Sequence, residues 1–259
     1  MRSSMYGMKS SSFARLLLFL VAPLSGCNHL QARNQMDSGV EAYKGAHYEE
    51  AIQHLQRATE LDPTLPMAKT YLATAMAQHV VHSQGTTDNV NMADQAITIF
   101  KEVIEKAPND VNSMKYIADI YFSIKRLDDA KEWQKKVLTV DPKNSEAACN
   151  VGKIDSTEAY GNTLKALQTV GLNDDGEGNA KAPKKVLEVI KEENAPLVEE
   201  ALQYLKQAIE NRPNYTGAMD YLSLIYRRKA EIDYGNVSLV KEDVAQAEKW
   251  HNLTVPIEF

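Results

Sequence analysis

The chain has 259 residues, with 29 Lys and Arg against 35 Asp and Glu, and a formal net charge of −6. The acidic balance argues against nucleic-acid binding through a basic surface, and two cysteines exclude a disulfide-dense scaffold. With 44% hydrophobic residues, 12 Gly and 9 Pro, the composition suits a packed core and not a loop-rich chain.

The first element in chain order is a leader. Arg2, Lys9 and Arg15 surround no acidic residue and precede Leu16-Leu17-Leu18-Phe19-Leu20-Val21-Ala22. A basic region followed by a short apolar run is the pattern of a secretory signal. The run is too short for a bilayer span, which takes about 20 residues. Leu24-Ser25-Gly26-Cys27 follows and resembles the bacterial lipobox, in which small residues let the peptidase close on the backbone and the thiol accepts the lipid. The resemblance implies a signal peptide over 1–26, lipidation with palmitate at Cys27, and a tether over 27–31. It also implies attachment to a membrane on the periplasmic side of a bacterial envelope. Asn28, where an Asp would favour inner-membrane retention, points towards the outer membrane. The other cysteine, Cys149, has no His near it in sequence, the closest being His82 and His251. It reads as a packed thiol and not as a nucleophile.

The remainder is a helical repeat. Ala51 begins a phrase that ends at Pro63, and the phrase returns from Ala96 to Pro108, Ala130 to Pro142 and Ala201 to Pro213, with Pro twelve residues after Ala each time. Ala96 and Ala130 are 34 residues apart. This pattern resembles the tetratricopeptide repeat, two antiparallel helices in 34 residues with small residues at the helix crossings and a Pro closing the second helix. The resemblance implies an all-α, right-handed superhelical solenoid of antiparallel helix pairs over 32–259. Five repeats fit: about 32–65, 66–110, 111–144, 145–215 and 216–259, the last degenerate. Insertions enlarge repeats two, four and five. That of repeat two falls near Gln84–Asn89 and that of repeat five near Asp233–Asn236, both polar turn clusters. In repeat four, Ser145–Val170 reads as one long first helix, Gly171–Asn179 as a loop, Pro183–Glu193 as a short helix, and Pro196 as the opening of the second helix.

No set of residues converges on catalysis. Asn173-Asp174-Asp175-Gly176-Glu177-Gly178 hints at a calcium loop, but counted from Asn173 the twelfth residue is Lys184 instead of a bidentate Glu. A solvated loop is expected. His79 and His82 share a helical face without a carboxylate or cysteine nearby, and read as surface residues. Trp133 and Trp250, at equivalent places in repeats three and five, read as packing residues. No cofactor and no metal are expected.

In the family that the repeats resemble, the first helix of each pair lines a concave groove. The residues at groove positions here include Tyr43, Tyr71, Lys115, Tyr116, Phe122, Asn150, Tyr221 and Arg227, with Asp119, Lys153 and Arg228 beside them. Exposed aromatics among polar groups suit protein or peptide capture. The carboxylate clamp of some family members is only half matched, by Lys115 and Asn150, with Gly217 and Tyr221 where bases are needed. The implied function is a membrane-anchored, non-enzymatic interaction scaffold or assembly factor of the cell envelope. The alternative is a solute- or glycan-binding lipoprotein that uses the repeat-four insert as a lid.

Overall fold

The computed structural model describes residues 22–65, 67–82 and 87–254. The leader lies largely outside the described residues, as do the side chains of the lipobox residues before Cys27 and the middle of the repeat-two insertion. The regular structure among the described residues is helical throughout: α1 (Ala22–Lys44), α2 (Tyr48–Leu61), α3 (Ala68–His82), α4 (Thr87–Lys106), α5 (Val111–Ser123), α6 (Leu127–Val140), α7 (Ser145–Gln168), α8 (Lys184–Asn211), α9 (Thr216–Ile232) and α10 (Val237–Asn252). None of these helices is long and apolar enough to cross a membrane.

The helix limits follow from local chemistry. Asp110, Asn144 and Asn236 cap α5, α7 and α10 by accepting from the amides of Asn112, Ala147, and Ser238 with Leu239. At the other ends, Pro63, Pro142 and Pro213 force the residue before them out of helical geometry. Asp62, Asp141 and Arg212 have φ of −145°, −128° and −144°.

The chain divides into two compact units, residues 1–99 and 100–259. In the first, α1 pairs with α2 and α3 packs on α2. In the second, α5 pairs with α6, α7 with α8, and α9 with α10. There α6 also packs on α7, α8 on α9, and α7 on α9. The repeated small residue is buried in every pair, since Ala51, Ala96, Ala130, Ala201 and Ala247 are all fully enclosed. Close approach is tightest at Gly39, where an added Cβ would lie 2.6 Å from Leu55 Cγ, and at Gly152, where it would lie 2.4 Å from Leu205 Cγ. In the second unit a core cluster lies between α7, α8 and α9, built on Val198, Leu205, Leu222 and Ile225, with Trp250 packed against it. Trp133 packs on a smaller cluster of Met114, Val137 and Ala147.

Repeat four departs from the reading of its sequence first in its second helix. The short helix expected over Pro183–Glu193 and the helix expected to open at Pro196 are a single helix of 28 residues, α8, with Pro196 inside it. A proline within a helix costs about 3 kcal/mol or more through its missing N–H and its clash with the preceding turn. Burial on the opposite side offsets that cost. Leu187, Ile190, Asn194, Leu197, Val198, Ala201, Leu205 and Ala208 form one unbroken buried stripe across the proline, which itself faces solvent. The extra residues of repeat four thus lengthen α7 and α8 and leave a strap, 169–183, between them.

Candidate functional site

The residues read as groove-facing divide between the two units. In the first, Tyr43 is half-buried, its ring 5.8 Å from that of Tyr48, while Tyr71 is exposed. The rest belong to the second unit, on the first helices of its pairs. Tyr116 stacks on Phe100 at 5.1 Å with the rings 9° apart, so it serves packing as well as surface. Lys115 bridges to Glu146. The ammonium of Lys153 lies 4.4 Å over the Phe122 ring, and Asn150 is half-buried. Asp119 keeps a solvent-accessible surface, but crowding by neighbours that displace water, and then the charge of Glu146, push its pKa up to about 6 against the pull of Lys115 and Lys153.

Tyr221 and Arg227 meet at a cleft of about 600 Å³. Ser156, Thr157 and Tyr160 of α7 form one wall, Tyr221, Leu224, Arg227 and Arg228 of α9 a second, and Asp174, Asp175 and Gly176 of the strap a third. Tyr160 and Leu224 are 48% and 49% exposed, large apolar surfaces left open inside a concavity. The volume lies within the range of small-ligand and side-chain pockets.

The strap is not the solvated loop that the sequence suggests. Its acidic residues are used internally: Asp174 accepts from the Gly176 amide at 3.0 Å, and Asp175 from the amides of Glu177 at 2.8 Å and Asn179 at 2.9 Å. The calcium-like run is therefore a folded turn whose carboxylates satisfy its own backbone. The strap also docks on α9. Arg228 Nη2 lies 2.6 Å from Asp174 Oδ2 and Arg228 Nη1 lies 2.7 Å from Glu231 Oε1. Asn179 donates to Glu231 Oε1 at 3.1 Å, and Arg227 to the Gly176 carbonyl at 3.1 Å. Behind them, the Thr163 hydroxyl is 2.7 Å from Glu231 Oε2, and Asn194 donates to Thr163 at 3.0 Å. Gly178 has φ +95°, and a Cβ there would lie 3.1 Å from the Ala230 carbonyl oxygen. The position thus needs glycine for both conformation and space.

Arg228, which the sequence places beside the groove, is buried: it fastens the strap and does not face a partner. Glu231, Asn179, Thr163 and Asn194 were not singled out from sequence at all. Charged and amide residues are common on helical surfaces, and only the docking of the strap encloses these. A second, partly buried network ties α6, α7 and α8. Lys131 bonds Asp155 at 2.7 Å, and Lys135 bonds Glu200 at 2.5 Å. Burial pushes Asp155 up to about 6 despite Lys131.

Cys27 is exposed and unpaired, and Cys149 is a buried free thiol. Burial pushes the Cys149 thiol up, against a hydrogen bond with Tyr215, which disfavours the thiolate. His82 lies 2.8 Å from the Gln78 carbonyl oxygen, and its ring leans on Tyr48 at 5.3 Å. Among the described residues no three His, Cys, Asp or Glu side chains are grouped to hold a metal ion.

Two segments, 33–65 and 117–144, match the model of the tetratricopeptide repeat. Among solved structures, MamA is 12% identical over 88% of this chain and 98% of its own, with a TM-score of 0.52. MamA from Desulfovibrio magneticus is 13% identical over 86% and 96%, with a TM-score of 0.53. YrrB, described as a TPR protein with an unusual peptide-binding site, is 13% identical over 85% and 88%, with a TM-score of 0.50. At these identities the likeness establishes the fold: helix pairs stacked as in tetratricopeptide proteins. No curated protein sequence matches the chain. The two matched segments fall in repeats one and three, whereas the strap and the cleft belong to the parts of repeats four and five that depart from the tetratricopeptide pattern.

Proposed function

We propose that this protein is a membrane-anchored, non-enzymatic scaffold of the bacterial cell envelope that captures a protein or peptide on the first-helix face of its second unit. The observation that carries the reading is the cleft. Tyr160 and Leu224, nearly half exposed, stand with Tyr221 in one concavity ringed by polar groups. Rigid aromatic and aliphatic side chains in such a setting bury against a partner at small entropic cost and commonly act as binding anchors. YrrB offers a parallel in that it is described as having a peptide-binding site on the same fold.

The test is recovery of cross-linked partners from native membranes. Tyr160→Ala with Leu224→Ala is expected to weaken capture by about 2 kcal/mol or more, roughly thirtyfold, with little change in melting temperature. Gln203→Ala with Lys206→Ala, on the exposed face of α8, is expected to change neither. Full recovery by the cleft variant removes the reading.

The anchor is supported by the lipobox-like residues and by the exposure of Cys27. Cys27→Ala is expected to abolish palmitate incorporation and either free the protein from the membrane fraction or leave an uncleaved precursor. Retention without label and without precursor counts against lipidation. Asn28 favours the outer membrane for this anchor. The solute- or glycan-binding alternative gains support from the strap, which forms one wall of the cleft. A small ligand that raises the melting temperature of the wild type but not of Tyr160→Ala favours it over partner capture.

A further inference from the structure

We infer that the strap over 171–179 is a movable wall of the cleft, latched to α9 by a neutral Glu231 carboxyl, and that ionising this one group releases it. The inference deepens the reading of the cleft as a capture site. Its test observes the strap itself, so it can fail while capture stands.

The argument begins with charge balance. Arg228 is a single cation, 5% exposed, and two carboxyl groups share it: Asp174 from the strap at 2.6 Å and Glu231 from its own helix at 2.7 Å. One guanidinium neutralises one carboxylate. A second carboxylate in the same water-poor space carries an uncompensated charge, which an enclosed site resists strongly. The two acids are not equivalent. Asp174 has two further donors, the Gly176 amide and Asn179, which favour its ionised form, and its pKa is held low. Glu231 is fully enclosed, and burial, helped by the nearby Asp174, pushes it up to about 8. The proton therefore resides on Glu231, where the Thr163 hydroxyl at 2.7 Å from Oε2 can accept as well as donate.

The surroundings leave the balance to these three groups. From α7 the facing residue is Thr163, and behind it from α8 is Asn194, both neutral. On the α10 side Asp243 is tied to Lys229 at 2.9 Å, and Lys229 also holds Asp233 at 2.5 Å. The strap's polar grip on α9 lies at this locus, through Asp174 and Asn179 with the neighbouring Arg227 contact to Gly176, while Gly178 also sits close to Ala230 of α9 and Val240 of α10 and Leu172 packs on the cluster of Leu167, Leu187 and Ile190. The sign follows from linkage. A carboxyl whose folded pKa lies above its ordinary value stabilises the closed form fully below the ordinary value and loses that contribution progressively as pH climbs from the ordinary to the folded value. Opening exposes Glu231 to water and relieves the buried charge, so the closed strap weakens as pH rises from the ordinary carboxyl range towards about 8 and is weakest above it.

The experiment is pulsed deuterium labelling of the full chain at about pH 6 and about pH 9.5, with the intrinsic chemical rate divided out. It reads the amides of Gly176 and Asn179: the Gly176 acceptor Asp174 is itself held by Arg228, and Asn179 is 3% exposed in the docked strap. In the wild type their protection is expected to fall about tenfold or more at the higher pH, while amides within α9 keep theirs. Glu231→Gln keeps the shape of the neutral acid and is expected to stay protected at both values. Asp174→Asn leaves Arg228 and Glu231 as a balanced pair and is also expected to lose the alkaline opening, so it supplies the test if the Gln variant does not fold. Equal protection in the wild type at both pH values overturns the inference. So does an alkaline loss that persists in the folded Gln or Asn variant.

Discussion

Arg228→Met is expected to destabilise the second unit by about 3–5 kcal/mol, the cost of removing one partner from an enclosed ion pair. The substitution keeps most of the apolar stem but deletes the cation that Asp174 and Glu231 share at 2.6 and 2.7 Å. Asp174 then stays ionised beside the neutral Glu231 without a counter-charge, and the strap loses its main charged attachment to α9. Arg228→Lys is expected to rescue little. One ammonium cannot reproduce a planar guanidinium that hydrogen-bonds Asp174 through Nη2 while its Nη1 lies 2.7 Å from Glu231 without a hydrogen bond. The measurement is urea unfolding followed by circular dichroism. A loss below about 1 kcal/mol, the size of an exposed pair, means that water reaches the cluster and that the strap is not a latch.

Leu205→Ala is expected to cost about 2–5 kcal/mol, the range for deleting a fully enclosed leucine and leaving a cavity. Leu205 of α8 is fully enclosed, and its side chain fills the space over Gly152 of α7. Gly152→Ala is expected to cost about 1–3 kcal/mol by overpacking, because the new Cβ falls 2.4 Å from Leu205 Cγ. The paired substitution is the sharper experiment. With Leu205 reduced to Ala, the methyl at 152 enters vacated space, so the double variant is expected to be more stable than the sum of the single losses by about 1 kcal/mol or more. Simple additivity removes Gly152 from the α7–α8 crossing.

Much of the repeat was legible in the sequence because its signals are local or strictly periodic. The Ala–Pro spacing located the second helices, Asp-Pro and Arg-Pro located their ends, and Ser145 onward read as one long helix, close to the observed Ser145–Gln168. A proline acts on its own neighbours, and a small residue recurs only where a partner helix must pass close. Pro196 shows the limit. Its local preference is to end a helix, yet α8 runs through it, because a buried stripe extending on both sides outweighs one lost hydrogen bond. The groove residues were partly legible as well. Tyr221 and Arg227 do line the cleft, but Tyr116 is stacked on Phe100 and Arg228 is enclosed. Position within a repeat says which way a side chain starts from its helix. It does not say what arrives from elsewhere in the chain to cover it.

What the sequence by itself determined is therefore the helix pairs and their small-residue crossings. These depend on residue type at short or repeated spacing, and every repeat states them again. What only the tertiary structure decided is the fate of the repeat-four insert. Asp174 and Arg228 lie 54 residues apart, and Thr163 and Glu231 lie 68 apart. Neither pair belongs to any periodicity. Each of these polar residues, taken alone, reads as a solvated surface group. Once the strap is docked they are enclosed, and an enclosed charge must be paired or neutralised. That requirement turns a loop that reads as open and acidic into a closed wall of the cleft.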